Sequence, residues 1–296
     1  MSGFRSGFVG ILGRPNVGKS TLLNRLCGEK LAITSSKPQT TRNRIVGVLH
    51  QPGSQIVFLD TPGMHETDRA INRYMQQVIA KVAADVDIAV YMADVTRAHG
   101  REDGLTLSML PADTRVPVLL VVNKADLVGS EQVAERVELL EGLFNFSGTF
   151  ITSAITGAGT DQLVEKISLM LPEGVPYFPE DMVTDQPLGF RLGEIVREKL
   201  FDLTKDEIPY STAVVVEHMA TREDGLLELG ATVFIEKESQ KGIIIGKKGS
   251  MLQKVGTAAR LEIESQLGRK VYLELWVKVK KGWTDREGLL RQMGYE

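Results

Sequence analysis

One short segment constrains the fold of this chain more than any other: a loop bounded by glycines that joins an apolar run to a helical stretch. The apolar run is Phe8–Leu12, and the loop reads Gly-Arg-Pro-Asn-Val-Gly-Lys-Ser over residues 13–20. Glycines let backbone N–H groups curl around phosphate oxygens, and the N-terminus of the following helix adds partial positive charge. In this strand–loop–helix setting the pattern predicts a site for a nucleoside triphosphate. We expect Lys19 to bridge the outer phosphates and the Ser20 hydroxyl to ligate Mg²⁺.

Two further segments complete the predicted phosphate side. Asp60-Thr-Pro-Gly63 ends an apolar run, where a carboxylate can hold the Mg²⁺ shell, usually through water, and Gly63 can offer its N–H to a γ-phosphate. Taken alone, such a tetrapeptide more often forms a simple turn. The polar segment Lys37–Arg44 is predicted to supply the threonine that caps the γ-phosphate and Mg²⁺. We favour Thr41 over Thr40, and the alternative is a solvated basic loop.

The base is predicted from a third motif, Asn123-Lys-Ala-Asp126, which follows another apolar run. Guanine presents two donors on one edge, so one carboxylate can accept both. Adenine lacks the 2-amino group, so Asp126 would be desolvated without its partners, and an unpaired polar group is how a site rejects the wrong ligand. We expect the stem of Lys124 to lie on the base and Asn123 to brace the phosphate loop. Ser153-Ala154 can supply a backbone N–H to guanine O6, although this signal is weak alone.

The rest of the chain predicts two domains, because 296 residues exceed what one hydrophobic core comfortably holds. Up to about Leu171, short apolar runs alternate with amphipathic stretches, which predicts an α/β domain with helices on both faces of a mainly parallel sheet. Residues 172–187 hold four prolines and four acidic residues without an apolar period, so we expect a linker. From residue 188 to residue 296 the predicted order is helix–strand–strand–helix–turn–helix–strand.

A Gly-x-x-Gly turn at Gly246–Gly249 lies between the last two predicted helices and lets a sugar–phosphate backbone approach without side-chain clash. Residues 240–281 hold ten Lys and Arg against three acidic residues, although the whole chain has a net charge of −3, and such an excess suggests a polyanion partner. The isoleucines before the turn are expected to form an apolar floor for unstacked bases. The alternative is an ordinary helix-turn-helix with a solvated lysine pair. We expect Trp276 and Trp283 to be core and tail anchors, and the alternative is that they are platforms on which bases stack. The predicted RNA-binding residues are Ile243, Ile244, Ile245, Gly246, Lys247, Lys248, Gly249 and Lys254.

The order of these motifs resembles the translation-factor-related branch of the Ras-like GTPases and, within it, the bacterial Era family. The resemblance rests on the 13–20 loop, Pro-Gln-Thr-Thr-Arg at residues 38–42, Asp-Thr-Pro-Gly, Asn-Lys-x-Asp and Ser-Ala. It extends through residues 275–283 and the closing Gly294-Tyr295, and therefore covers essentially the whole chain. It implies a Ras-like P-loop GTPase domain over residues 1–171, followed by a type II KH domain over residues 188–296.

The resemblance implies hydrolysis of GTP to GDP and phosphate with Mg²⁺. Met64 stands where Ras-like relatives have a glutamine that orients the attacking water, so we expect slow unaided turnover. His65 is not expected to replace it. Asn16 looks like the residue that holds a catalytic K⁺ in some relatives. The predicted catalytic residues are Lys19, Thr41, Asp60, Gly63 and Asn16, and the predicted metal ligands are Ser20, Thr41 and Asp60. The predicted GTP-binding residues are Gly13, Arg14, Pro15, Asn16, Val17, Gly18, Lys19, Ser20, Thr21, Asp60, Thr61, Pro62, Gly63, Asn123, Lys124, Asp126, Ser153 and Ala154.

The resemblance further implies recognition of the 3′ end of small-subunit (16S) ribosomal RNA during assembly of the 30S subunit. GTP would order residues 37–44 and 60–73, hydrolysis would release them, and the linker would then expose or cover the RNA groove. We expect a monomer. The single Cys27, the lack of a signal peptide and the lack of an apolar run of membrane-spanning length predict a cytoplasmic protein. Era relatives are associated with the inner face of the cell membrane, so the resemblance leaves peripheral attachment open.

Three other functions remain open at this stage. Because Met64 replaces the glutamine that orients water, one alternative is a non-catalytic RNA-binding scaffold that uses GTP as a structural ligand. A P-loop kinase is argued against by Asp126 and by the absence of an obvious lid segment. A GTPase of transfer-RNA modification should carry a catalytic cysteine or a folate-binding part, and neither is evident in the sequence.

Overall fold

The structure, a computed structural model, describes residues 3–63, 69–110 and 116–295. The described residues form two compact units. The first comprises residues 3–63, 74–110 and 116–185, and the second comprises residues 69–73 and 186–295. Within the described ranges, no helix has both the length and the apolar character needed to cross a bilayer.

The first unit is an α/β domain. Its elements in chain order are β1 (Arg5–Leu12), α1 (Lys19–Cys27), β2 (Ile45–Gln51), β3 (Ser54–Asp60), α2 (Ala70–Asp85, residues 74–85 in this unit), β4 (Ile88–Asp94), α3 (Arg101–Ser108), β5 (Val118–Asn123), α4 (Ser130–Glu141), β6 (Gly148–Ile151) and α5 (Thr160–Met170). The strand order is β2-β3-β1-β4-β5-β6. β2 runs antiparallel to β3, and the other neighbours are parallel. The predicted mainly parallel sheet is therefore confirmed.

The sheet of the first unit is buried on both faces. Every residue of β3, β4 and β5 is buried, as expected for strands covered by helices on each side. Because β1, β4 and β5 are parallel, their carboxyl ends meet at one edge. The loops that follow these strands therefore lie together, which is where open α/β sheets bind ligands.

The segment predicted as a linker lies against the first unit. The amide of Val48 donates to the Val183 carbonyl over 2.8 Å, and the Thr184 hydroxyl donates to the Val46 carbonyl over 2.6 Å. Near the start of the segment, the amide of Ser6 donates to the Pro172 carbonyl over 3.1 Å. The first unit therefore continues past Leu171 to residue 185. Proline spacing predicts extended chain but not which surface it binds.

The second unit is an α+β domain. Its elements are α6 (Leu188–Leu203), β7 (Ala213–Thr221), β8 (Leu227–Ile235), α7 (Glu238–Ile245), α8 (Ser250–Leu267), β9 (Val271–Val279) and α9 (Glu287–Gln292). β8 is central, antiparallel to β7 and parallel to β9. This order matches the predicted one, and α9 adds a short helix in the predicted tail.

The two tryptophans of the second unit have different surroundings. Trp283 is fully buried, donates its indole N–H to the Ser211 carbonyl over 3.0 Å and stacks on Tyr295 with ring centroids 5.8 Å apart. This is the anchoring role expected from the sequence. Trp276 is 45% exposed, and its ring lies over Gly230, where a β-carbon would come within 3.0 Å of it. Trp276 therefore covers the outer face of the sheet and is not a core residue.

Candidate functional site

The 13–20 loop joins β1 to α1 in a conformation that depends on its glycines. Gly13 has φ +157, and a β-carbon there would lie 2.4 Å from the Met92 carbonyl oxygen of β4. Gly18 has φ +106 and precedes α1 with no side-chain cap. Among the described residues, the N–H groups at the start of α1 are thus left uncapped by a side chain, as an anion site requires.

Lys19 is held in a fixed position inside this loop. Its side chain is buried, and Nζ donates to the carbonyls of Gly13 at 2.8 Å and Arg14 at 3.0 Å. Burial lowers the pKa of Lys19 to about 8, although the nearby Asp60 carboxylate favours the charged form. A phosphate beside the ammonium group would favour the charged form further.

Three predicted metal ligands come together next to Lys19. The Ser20 hydroxyl donates to Asp60 Oδ2 over 2.6 Å and lies 2.8 Å from Thr41 Oγ1. Thr40 points elsewhere, since its hydroxyl donates to the Lys37 carbonyl over 2.8 Å. The structure therefore brings Thr41, and not Thr40, to the predicted metal position.

The oxygens of this cluster fit a hard divalent cation. Asp60 is fully buried, and its Oδ1 has no hydrogen-bond partner among the described residues. Burial raises the pKa of Asp60 to about 6, an effect that Lys19 and the Ser20 hydroxyl oppose. A buried carboxylate oxygen that lacks a donor, next to two hydroxyl oxygens, matches the all-oxygen ligand set that Mg²⁺ prefers.

The chain after Asp60 touches the phosphate loop. Thr61 donates its hydroxyl to the Ile11 carbonyl over 2.8 Å, and a β-carbon on Gly63 would lie 2.6 Å from Pro15. Glycine at position 63 is therefore required for the two segments to meet. Met64 and His65, which bear on the predicted water-orienting role, lie outside the described residues.

Asn16 links the phosphate loop to the segment that carries Thr41. Its backbone is left-handed, with φ 64, and its Nδ2 donates to the Ser36 carbonyl over 2.7 Å. Because this bond uses the amide nitrogen, Oδ1 of Asn16 is left to act as an oxygen ligand. The Asn16 carbonyl accepts a 2.7 Å hydrogen bond from Lys124 Nζ, which ties the loop to the predicted base motif.

Asn123 contacts the phosphate loop, as the sequence predicts, and also the loop that holds Ala154. Its Nδ2 donates to the Val17 carbonyl over 2.8 Å, and its Oδ1 accepts from the Ala154 amide over 2.9 Å. The Ser153 amide donates to the Ala158 carbonyl over 3.0 Å. The N–H groups of Ser153 and Ala154 are thus both engaged within the protein, and guanine O6 would share the Ala154 donor with Asn123. Asp126 is exposed at the end of this motif.

Two positioning residues of the base motif were missed from the sequence. Asp94, fully buried at the end of β4, accepts a 2.7 Å ion-pair hydrogen bond from Lys124 Nζ. Arg25, on the last turn of α1, donates to the carbonyls of Ala154 and Ile155. The strand-end position of Asp94 is the same kind of signal that singled out Asp60, whereas nothing local marks Arg25.

A cavity of about 310 Å³ lies beside the phosphate loop. It is lined by residues of the phosphate loop and α1, of the 33–41 segment, and by Gly63, Arg97 and Lys124. Its volume lies at the low end of the range for small-molecule sites. The cavity therefore combines the phosphate loop with Ser20 and Thr41 of the predicted metal ligands and Lys124 of the base motif, whereas Asp126 does not line it. Arg97 adds a positive charge that the sequence did not indicate.

The Gly-x-x-Gly turn of the second unit has a strained backbone that suits close approach. Gly246 has φ +72, and a β-carbon there would lie 2.7 Å from the Met251 amide, while Gly249 has φ +81. Lys247 and Lys248 are exposed, and Lys248 is itself left-handed at φ 53. Lys254 is exposed on α8.

The prediction for the three isoleucines needs one correction. Ile244 is fully buried in the core of the second unit, whereas Ile243 is 52% exposed and Ile245 is partly buried. Successive residues of a helix point about 100° apart, so three in a row cannot share one face. Ile244 therefore supports the turn from beneath and cannot contact a base directly.

Comparison with known proteins agrees with both sites. A family described as 50S ribosome-binding GTPase matches residues 8–124, and the KH domain family matches residues 207–284. GTPase Era of Geotalea uraniireducens is 49% identical over 293 residues, covering 99% of this chain and 98% of the relative. GTPase Era of Geobacter metallireducens is 50% identical over 293 residues with the same coverage.

Two solved structures resemble the chain over 99% of both lengths at 39% identity. One is a variant of Aquifex aeolicus Era bound to GDP·AlF4⁻, with a TM-score of 0.94. The other is Era in complex with MgGDPNP and nucleotides 1506–1542 of 16S ribosomal RNA, with a TM-score of 0.95.

Proposed function

The chain belongs to the GTPase Era family, and we propose that it hydrolyses GTP to GDP and phosphate and binds the 3′ end of small-subunit ribosomal RNA. The observation that carries the proposal is the cavity lined by the phosphate loop, Thr41 and Lys124, with buried Asp60 bonded to Ser20 and with Asn123 bonded to the loop backbone. Membership in the family supports the same activity.

The residues of the nucleotide site have distinct roles in the proposed hydrolysis. Mg²⁺, when bound, neutralises charge on the β- and γ-phosphate oxygens. Ser20, Thr41 and Asp60 hold it, in line with the MgGDPNP bound by the related Era structure. Lys19 would pair with the outer phosphates, and the Gly63 N–H would donate to the γ-phosphate. Met64 offers no amide to orient water, so we propose that unaided turnover is slow.

We propose K⁺ as a second cation, held through Oδ1 of Asn16. The support is geometric, since the amide nitrogen of Asn16 is already committed to the Ser36 carbonyl. Turnover is expected to be faster in KCl than in NaCl, and Asn16→Leu should remove this difference while Mg²⁺ dependence persists. Equal rates of the unsubstituted protein in the two salts would contradict the proposal.

Guanine selectivity is the sharpest test of the first unit. Titration with fluorescent GDP, competed by GTP or ATP, should show displacement by GTP only. In Asp126→Asn the acceptor pair for guanine is lost, but the new amide can donate to the 2-carbonyl of xanthine. Binding is therefore expected to shift from GDP toward xanthosine diphosphate. ATP that competes as well as GTP, or no binding of either, would sink the proposed function.

For the second unit we propose RNA binding at the Gly246–Gly249 turn, with exposed Lys247, Lys248 and Lys254 contacting phosphates and Ile243 contacting bases. The matched family description names the 50S subunit, whereas the related Era structure contains 16S ribosomal RNA. We propose 16S ribosomal RNA as the ligand, because the related Era structure that contains it matches 99% of this chain, including the second unit. The proposed role is assembly of the 30S subunit.

We further propose that the nucleotide gates RNA binding, and that the protein acts as a cytoplasmic monomer with at most peripheral membrane contact. Coupling between two sites requires that each ligand changes the affinity of the other. The affinity for a 3′-terminal 16S fragment should therefore differ between the GTP-analogue and GDP forms. Equal affinities would exclude gating but leave RNA binding intact. Cross-linking to cellular RNA with GTP present would identify the RNA.

A further inference from the structure

The side chain of Arg14 leaves the nucleotide cavity, although the residue belongs to the phosphate loop. Among the described residues, those that line the cavity do not include Arg14. Its guanidinium instead donates from Nη1 to Asp103 Oδ2 over 2.9 Å and to the Ala98 carbonyl over 3.2 Å. Arg14 is 7% exposed and Asp103 is fully buried, so this is a buried ion pair between the phosphate loop and α3.

Asp103 is itself fixed from three other directions. Its Oδ2 accepts from the Gly100 amide over 3.0 Å, which caps the start of α3, and its Oδ1 accepts from the Tyr91 hydroxyl over 3.1 Å. Burial and the Asp103 charge raise the pKa of Tyr91, so the phenol remains a neutral donor. The His99 ring lies 3.9 Å from the same carboxylate.

A second buried guanidinium lies near this carboxylate. Arg136 of α4 is 7% exposed and interacts electrostatically with Asp103. In the described part of the chain, Nε and Nη2 of both Arg14 and Arg136 have no hydrogen-bond partner. Asp103 is the ion-pair partner of Arg14, and its removal would leave the buried Arg14 guanidinium without that partner.

The position of Arg14 bears directly on Lys19. The Lys19 ammonium donates to the carbonyls of Gly13 and Arg14, and Gly13 passes so close to β4 that a β-carbon would meet the Met92 carbonyl. The backbone at residues 13–14 is therefore clamped between β4 and the Arg14–Asp103 pair. A shift of the Arg14 side chain would turn the carbonyl that orients Lys19.

We propose that Asp103 is a positioning residue for the nucleotide site, which holds the phosphate loop in its binding shape through Arg14. The inference rests on the proposed function in that the ligand is a guanine nucleotide. Asp103 touches no phosphate and acts only through the loop, so it affects the diphosphate and triphosphate alike. Loss of such uniform binding raises KM and leaves kcat nearly unchanged.

The test uses the full-length protein and fluorescent GDP. Asp103→Asn and Arg14→Met should each weaken GDP binding by roughly 10-fold, with a matching rise in KM for GTP and little change in kcat. If one acts through the other, the double variant should be no weaker than the worse single variant. Tyr91→Phe is the control, since it removes another hydrogen bond to Asp103 without touching the loop. It should lower thermal stability and leave GDP affinity unchanged.

Several results would overturn the proposal. One is a GDP affinity within twofold of the unsubstituted protein in either Asp103→Asn or Arg14→Met, provided that the variant folds. Another is a double variant whose loss of affinity is the sum of the two single losses. The third is a loss of GDP affinity in Tyr91→Phe as large as that in Asp103→Asn. Should Asp103→Asn fail to fold, Arg14→Met decides alone, because it leaves Asp103 with Tyr91 and Gly100. Binding of GDP by the unsubstituted protein is measured first. Its absence would contradict the proposed function and not this inference.

Discussion

Replacing Gly18 by alanine tests whether the brace between the phosphate loop and the base loop depends on a missing side chain. A β-carbon at Gly18 would lie 2.4 Å from Nδ2 of Asn123. That nitrogen is the donor to the Val17 carbonyl at 2.8 Å. A β-carbon and a nitrogen of another residue do not approach within 3.0 Å, so Asn123 must swing away in the variant. Both loops then lose their common contact.

The expected loss of stability in Gly18→Ala follows from the contacts that Asn123 makes. Its displacement breaks up to three hydrogen bonds, to the Val17 carbonyl, the Ala154 amide and the Thr152 hydroxyl, each contributing about 0.5–1.5 kcal/mol. Alanine at φ +106 adds about 1–3 kcal/mol of backbone strain. The total of roughly 2.5–7.5 kcal/mol is a large share of the about 5–15 kcal/mol that stabilises a typical protein.

The assay is urea unfolding of the first unit, with GDP affinity as a second readout. Both tryptophans lie in the second unit, so unfolding is followed by circular dichroism and by release of fluorescent GDP. In an Asn123→Ala background the clashing atom is absent. There, Gly18→Ala should cost only the backbone strain of about 1–3 kcal/mol.

Gly28→Ala is the matched control for this experiment. Gly28 ends the same helix with φ +70, and a β-carbon there would have no atom within 4 Å. It therefore measures the backbone cost alone. If the costs of Gly18→Ala and Asn123→Ala simply add, or if Gly18→Ala costs no more than Gly28→Ala, the reasoning from the clash is refuted.

Three further predictions follow from other contacts. Burial alone raises the pKa of Asp94, but hydrogen bonding led by Lys124 more than offsets it and holds the pKa below its usual value. The stabilisation is complete above about pH 4 and is lost as the pH falls through the depressed pKa, so urea unfolding of Asp94→Asn and the unsubstituted protein should converge at low pH. Trp283→Ala should destabilise the second unit by about 3–5 kcal/mol in thermal or urea unfolding, because the indole is fully buried. Lys247→Gln with Lys248→Gln should weaken single-stranded RNA binding and reduce the salt slope of log K by roughly 1.4, as measured by anisotropy over a KCl series.

The residues of the nucleotide site that could be predicted are those whose roles are set by their immediate neighbours. Gly13 and Ser20 lie in one continuous loop, and Asn123 ends a buried strand, so their chemistry follows from local sequence and strand–helix alternation. The same local reasoning places the Gly246–Gly249 turn between two helices. It misplaced Ile244, because an apolar side chain in a short helix can face the core or the solvent, and only the packing of the second unit decides which.

The contact of residues 172–185 with the first unit could not be predicted, for a different reason. Residues 172–185 hydrogen-bond to β2 and to the start of β1 through the Pro172 and Val183 carbonyls, a group that every residue carries, and through the Thr184 hydroxyl. Thr184 and its acceptor, Val46, are 138 residues apart. No side-chain pattern marks such a pairing in advance, so proline content identified extended chain without its partner surface.

The partners of the buried carboxylates could not be predicted from local sequence. Asp94 ends β4, a position that hints at a site, whereas Asp103 looks, as sequence, like an ordinary surface acid of a helix. Their partners, Lys124 and Arg14, are 30 and 89 residues away, so only the assembled sheet brings the charges together. Once assembled, the two pairs hold the phosphate loop at two points: Lys124 at the Asn16 carbonyl, and Asp103 at the Arg14 side chain. Because a buried ion pair is costly to leave half-formed, the shape of the loop is fixed before nucleotide arrives. Loss of nucleotide affinity should therefore be as severe for substitution of Asp94 or Asp103 as for many substitutions within the loop itself.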